Sequence, residues 1–120
     1  MTQKIDSGTA RPTRPVTEHP VSVQVGPMVY PIEWIDKLTT EMSGPLYGKT
    51  MHFPCRGIKI RSDCDLEDVR ETLLHEIIHT VEEWMDVDFK EHEVRQLSLG
   101  LFQVLTENPK VTRFILGHLA

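Results

Sequence analysis

The sequence predicts an α+β domain, with a small antiparallel or mixed β-sheet packed on a helical half. Three observations carry that prediction. Apolar and polar residues alternate in "VSVQV", near the start. Two short β-like runs, "LYGKTMHF" and "RGIKIRSD", lie mid-chain on either side of Pro54. From residue 66 onward, apolar residues recur at three- and four-residue intervals.

The elements follow in order. Residues 1–20 carry Pro12, Pro15 and Pro20 among polar residues without apolar periodicity, and read as a flexible tail. Residues 21–120 read as one domain, since 120 residues suffice for one core and not for two. Val21, Val23 and Val25 alternate with Ser22 and Gln24 as a strand that Gly26-Pro27 interrupts. Pro31 suits a first helical position, and Ile32, Ile35, Leu38 and Met42 follow at helical spacing. A short helix over 31–43 is therefore expected, ended by Ser43-Gly44-Pro45. The two mid-chain runs then form a hairpin or a pair of edge strands.

Asp63 and Asp65 are expected to cap a helix that runs to about Met85. Its apolar positions are Leu66, Val69, Leu73, Ile77, Val81 and Trp84. After "MDVDFK", a third helix spans about Glu91 to Thr106, with Val94, Leu97, Ser98, Leu101, Val104 and Leu105 as its buried stripe. Asn108-Pro109 opens a last helix carrying Val111, Phe114, Ile115 and Leu119. Trp34 and Trp84 are expected to pack at helical core positions.

Composition excludes some functions. The formal net charge of −5 argues against nucleic acid as the main partner, because phosphate binding needs a surplus of Lys and Arg. No apolar run approaches the roughly 20 residues of a membrane span. "MTQKIDSGTARPTRP" lacks the apolar core of a secretory signal, so a cytosolic protein is expected. Cys55 and Cys64 do not have the spacing of a zinc knuckle and are expected as free thiols.

The stretch "TLLHEIIHTVEEW" holds the chemistry. His75 and His79 point the same way from adjacent helical turns, so two imidazoles can converge on one zinc ion. A histidine displaced by one residue would point about 100° away. Glu76 lies beside them, placed to hold a water and take its proton while the metal polarises a scissile carbonyl. The alternative is a charged stripe on a solvated helix. Against it, both histidines sit among apolar neighbours, and Arg70 is the helix's only Lys or Arg.

A catalytic zinc needs a third protein ligand. The long metzincin pattern would place Gly at position 82 and His at position 85, where this chain has Glu82 and Met85, so that class is excluded. Glu82 and Glu83 read as surface charges further along the helix. The next helix offers Glu91, His92 and Glu93. At about 100° per residue, Glu91 lies roughly 65° from the centre of the expected stripe, Glu93 roughly 95°, and His92 nearly opposite. Glu91 ranks first, with Glu93 still open. His52 and Tyr47 are further candidates, as oxyanion stabilisers.

"TLLHEIIHTVEEW", followed by "KEHEVRQLSLGLFQVLTENP", resembles small bacteriophage and prophage zinc metallopeptidase-like proteins. In outline these are similar to the ImmA/IrrE-type and SprT-like minimal zincins. The shared pattern is a strand feeding the H-E-x-x-H helix, an E-x-x-V-x-x-L opening to a second helix, and a late Asn-Pro. Glu91, Val94, Leu97 and Asn108-Pro109 match it, over about residues 45 to 112. The resemblance implies a zinc-dependent metallopeptidase with a minimal zincin-like fold. His75, His79 and Glu91 would then bind zinc, and Glu76 would be the general base. It also implies a protein or peptide substrate, paired by strand addition with the strand before the helix, the place of "RGIKIRSD".

Two other functions fit the same residues. One is a non-enzymatic, zinc-stapled protein-binding module of phage origin, with Cys55 or Cys64 closing the coordination shell. The other is a domain whose motif is vestigial and binds no metal.

Overall fold

A computed structural model describes residues 18–36, 39–40, 44–45 and 47–117 of the chain. The alternating valines form β1 (Ser22–Val25), which turns back at once into β2 (Met28–Ile35). Val25 pairs with Met28 in antiparallel register, so Gly26 and Pro27 are the two residues of a tight hairpin. Gly26 has φ 59°, a conformation that glycine adopts without steric cost. A side chain is excluded there for a second reason: a Cβ would lie 2.4 Å from the Trp84 indole nitrogen.

The helix expected over 31–43 is not formed where the structure describes it. Residues 28–35 are a strand instead. Tyr30 and Ile32 are buried and Trp34 half-buried, while Val29, Pro31 and Glu33 are exposed. The same letters thus contain a period of two as well as a period near 3.6. Long-range pairing selects the former, because Ile32 through Ile35 run parallel to Ile58 through Arg61. Pro31 falls where β2 passes from pairing with β1 to pairing with the later strand. Residues 37, 38 and 41–43 of that expected helix lie outside the described residues, as do 1–17 of the tail and Leu119.

Thr39–Thr40 (β3) and Gly44–Pro45 (β4) form a small two-stranded ladder. The mid-chain runs become β5 (Gly48–Met51) and β6 (Gly57–Arg61), which are antiparallel. The main sheet is mixed, in the order β1-β2-β6-β5. This corrects the expectation that "RGIKIRSD" pairs with substrate. Both edges of β6 are already occupied, by β2 and β5, and the edge strands are β1 and β5.

One face of the sheet carries the core. Val25, Tyr30, Ile32, Ile58, Ile60 and Val69 are buried together, with Leu73, Ile77 and Val81 of α1 (Leu66–Met85) packed against them. Leu66 and Trp84, assigned to the same stripe, are exposed. Trp84 instead covers the hairpin at Gly26. Trp34 packs against the core from a strand, and its indole N–H donates to the Pro20 carbonyl at 2.7 Å. Asp65 occupies the N-cap position of α1 without a side-chain cap, and Asp63 is engaged by Arg61 at 2.6 Å. Asp86 ends the helix in the left-handed conformation, φ 55°.

α2 (Glu91–Glu107) and α3 (Pro109–Leu116) follow at the expected places. Val94 and Ser98 are fully buried where α2 meets α1. The rest of the expected stripe is not buried: Leu97, Leu101 and Val104 are exposed, and Leu105 is half-buried. Only a narrow ridge of α2 touches α1, so its apolar width exceeds its contact. Among the described residues, no helix is long and apolar enough to cross a membrane.

Candidate metal centre

The twenty residues of α1 place His75, Glu76 and His79 on adjacent turns facing α2 and β5. Glu91 is the first residue of α2, and the Val94–Ser98 ridge seats that end of the helix beside them. At about 100° per residue, Glu91 falls within about 60° of both Val94 and Ser98, closer to the true contact line than to the expected one. The ligand atoms of His75, His79 and Glu91 all lie within 4.8 Å of one another. Glu91 Oε2 is 2.9 Å from His75 Nε2, and Glu91 Oε1 is 3.2 Å from His79 Nε2.

These separations fit a metal. A tetrahedral site with bonds of about 2.0–2.2 Å has edges of about 3.3–3.6 Å, and the two histidine–carboxylate separations lie within a few tenths of an ångström of that. Two imidazole nitrogens and a carboxylate oxygen are also a donor set that zinc accepts. Neither of the competing residues joins them. Glu93 accepts the Lys90 backbone N–H at 2.8 Å at the start of α2, and His92 is exposed. Cys55 is exposed and Cys64 contacts Asp63, and both stand outside the cluster.

Both rings have partners on their far nitrogens. Glu82, one turn along α1, accepts from His79 Nδ1 at 2.6 Å, and its other oxygen accepts the Phe89 backbone N–H at 2.7 Å. A carboxylate on Nδ1 fixes the tautomer that leaves Nε2 with its lone pair for a metal. His75 Nδ1 lies 3.4 Å from Ser98 Oγ, which donates to Glu71 Oε2 at 2.9 Å. Glu82 is therefore not a surface charge, as the sequence had it. Its side chain is 11% exposed. An i,i+3 carboxylate after a ligand histidine was the available signal.

Glu76 is 7% exposed, the only carboxylate among the described residues that is buried. Burial pushes its carboxyl above the ordinary range, opposed by the Thr50 hydrogen bond and by the neighbouring His75 and His79. Thr50 Oγ1 lies 2.6 Å from Glu76 Oε1, and 3.1 Å from the Glu76 carbonyl. Oε2 is left clear because β5 has glycine opposite it. A Cβ on Gly48 would stand 3.0 Å from Glu76 Cγ and 3.1 Å from Oε2. Thr50 and Gly48 are site residues that sequence reasoning missed, since both reach the helix only through sheet pairing.

β5 forms one wall of the cavity of about 250 Å³ that holds His75, Glu76, His79 and Glu91. His52, just past β5, lines the same cavity. Tyr47 does not; it is exposed, and the Arg61 guanidinium lies 5.8 Å from its ring. Concave surface continues on both sides of the centre. Toward Tyr47 it is bordered by Glu71, Thr72, Arg95 and Leu99. Toward the other end it passes Phe53, Asp86, Asp88 and Phe89.

Glu83, the second glutamate read as a surface charge, is also engaged. It receives Arg56 Nη2 at 2.9 Å, the Tyr30 hydroxyl, and lies 3.0 Å from His52 Nδ1. These partners, Arg56 first and Tyr30 next, hold its carboxyl down to about 2. Burial, then Glu83, pushes the Tyr30 phenol up to about 12. Comparison with protein-family models, with curated proteins and with solved structures gives no match to this chain.

Proposed function

We propose that the chain is a zinc-dependent metallopeptidase of the minimal zincin kind, in which His75, His79 and Glu91 hold the ion and Glu76 is the general base. The observation that carries the reading is the convergence of three ligand side chains beside one buried carboxylate in a single cavity. Zinc at such a site supplies Lewis acidity, polarising a carbonyl and easing deprotonation of a neighbouring water. The chain's own residues supply the rest. Glu76 Oε2 takes the proton, while Thr50 holds Oε1 and so fixes the plane of the carboxylate.

The substrate in this reading is an extended peptide. β5 is one of the two edge strands of the main sheet and the one that walls the cavity, so main-chain pairing along it delivers a peptide bond to the centre. The grooves at both ends of the cavity supply room for residues on either side of that bond. The position of Cys55 and Cys64 outside the ligand cluster favours this reading over a closed zinc staple.

The test pairs metal content with hydrolysis. Protein purified without chelators is expected to carry about one zinc per chain and to cleave an unfolded protein or a quenched-fluorescent peptide pool. Glu76→Gln is expected to keep the zinc and lose cleavage by about 10²–10⁴-fold. Full activity in Glu76→Gln removes the general base. Zinc without cleavage, at any substrate tried, leaves the staple.

A further inference from the structure

Zinc binding and base catalysis leave one polar cluster unused. Tyr30 from β2, His52 after β5, Arg56 before β6 and Glu83 from α1 meet at one point. Arg56 Nη2 donates to Glu83 Oε2 at 2.9 Å, and Arg56 Nε approaches Oε1 at 3.4 Å. The Tyr30 hydroxyl spends its hydrogen on Glu83 Oε1. His52 Nδ1 lies 3.0 Å from that same oxygen and 2.9 Å from the Tyr30 hydroxyl.

The proton count settles the tautomer. Glu83 is ionised and has no hydrogen to offer, and the phenol's is already used. A bare Nδ1 lone pair 3.0 Å from a carboxylate oxygen would be repelled. Nδ1 therefore carries the hydrogen and shares it between Glu83 and the tyrosine oxygen. The second nitrogen, Nε2, keeps its lone pair. His52 lines the cavity of His75, Glu76, His79 and Glu91, whereas Tyr30 and Glu83 are not among its walls. With Nδ1 committed to Glu83 and Tyr30, Nε2 is the ring nitrogen left to act in that cavity.

We propose that His52 is a further catalytic residue of the peptidase, exchanging a proton with the substrate at Nε2, and that Glu83 is the positioning residue that fixes its tautomer. This rests on the peptidase reading above. Hydrolysis needs a proton in two places. Glu76 takes one from water as the water oxygen bonds to the carbonyl carbon. When the C–N bond breaks, its electron pair goes to nitrogen, and the amine needs a proton of its own. His52, protonated at Nε2 from solvent, gives that proton up and returns to neutral, while Glu76 sheds its own to solvent. The charge the ring holds beforehand lies against the Glu83 carboxylate.

The experiment uses the full chain loaded with zinc. Long-range ¹H–¹⁵N correlation spectra are expected to show His52 protonated at Nδ1, and Glu83→Gln to shift the ring toward the other tautomer. Cleavage of the quenched-fluorescent peptide pool is expected to fall about 10²-fold or more in kcat for His52→Ala, with little change in KM. Added imidazole is expected to restore part of it. His52→Asn, whose side-chain amide can still donate to Glu83, guards against misfolding and is expected to be as slow as the alanine variant. Zinc affinity is expected to be unchanged in both. A neutral wild-type ring with its hydrogen on Nε2 and none on Nδ1, or undiminished kcat in either variant, overturns the proposal alone. A wild type that binds zinc and cleaves no peptide overturns the peptidase reading and this proposal with it.

Discussion

Glu82 accepts the Nδ1 hydrogen of His79 while its second oxygen holds the backbone at Phe89. One carboxylate so fixes both the ring that faces Glu91 and the loop that leads into α2. Glu82→Gln is expected to weaken zinc binding by roughly 10–100-fold in a competition titration against a chelator. Glu83, its neighbour in sequence, governs acid stability instead. Its folded carboxyl titrates at about 2, below the ordinary value near 4.3. The unfolded chain binds that proton more readily, so the stabilisation is complete above about pH 4.3 and is lost as pH falls through about 2. Tyr30 has the opposite sign. Raised to about 12, it contributes fully below about pH 10 and loses that contribution as pH rises through about 12. Denaturation midpoints measured against pH are expected to flatten on the acid side in Glu83→Gln. Glu82 had a local signal in its i,i+3 spacing from His79, whereas the role of Glu83 was not legible, because Tyr30, His52 and Arg56 are brought to it by the fold.

At the scale of elements, the three helices and strands β1, β5 and β6 could be read from the chain, and β2 could not. The spacing of His75 and His79 and the Asn108-Pro109 start are local signals, and α1, α2 and α3 fall where those signals put them. β2 is different. Pro31, Ile32 and Ile35 satisfy a helix, yet Ile58 and Ile60 on a distant strand decide the outcome. Glu91 stands beside His75 and His79 although most of the assumed stripe is exposed, because the buried Val94 and Ser98 set the angle of α2. β6 is the strand that ties the two halves of the sheet together, and Ile60 on it is fully buried. Ile60→Ala is expected to cost about 2–5 kcal/mol in chemical denaturation. β5 tests differently. Gly48→Ala would press a methyl group onto Thr72 and Glu76, so it is expected to lower turnover while leaving zinc affinity unchanged.

For the whole molecule, the centre joins two layers that otherwise share few buried residues. The sheet and one face of α1 hold the main core, and α2 adds the fully buried Val94 and Ser98. An ion bridging His75, His79 and Glu91, as proposed, would therefore couple α2 to the rest. Zinc at 100 times its Kd is expected to add about 2.7 kcal/mol of stability, and a chelator to reverse it. A thermal scan reads this as a rise of roughly 10 °C.

The spacing of the site along the chain has a consequence for how it matures. All three ligands fall between positions 75 and 91, and the loop between α1 and α2 brings them together. Thr50 must reach Glu76 across 26 positions and through a completed sheet edge. The shorter closure is entropically easier. In the proposed peptidase, a denatured chain refolding with zinc would therefore gather its cation ligands before Thr50 holds Glu76, so zinc uptake is expected to precede the onset of cleavage.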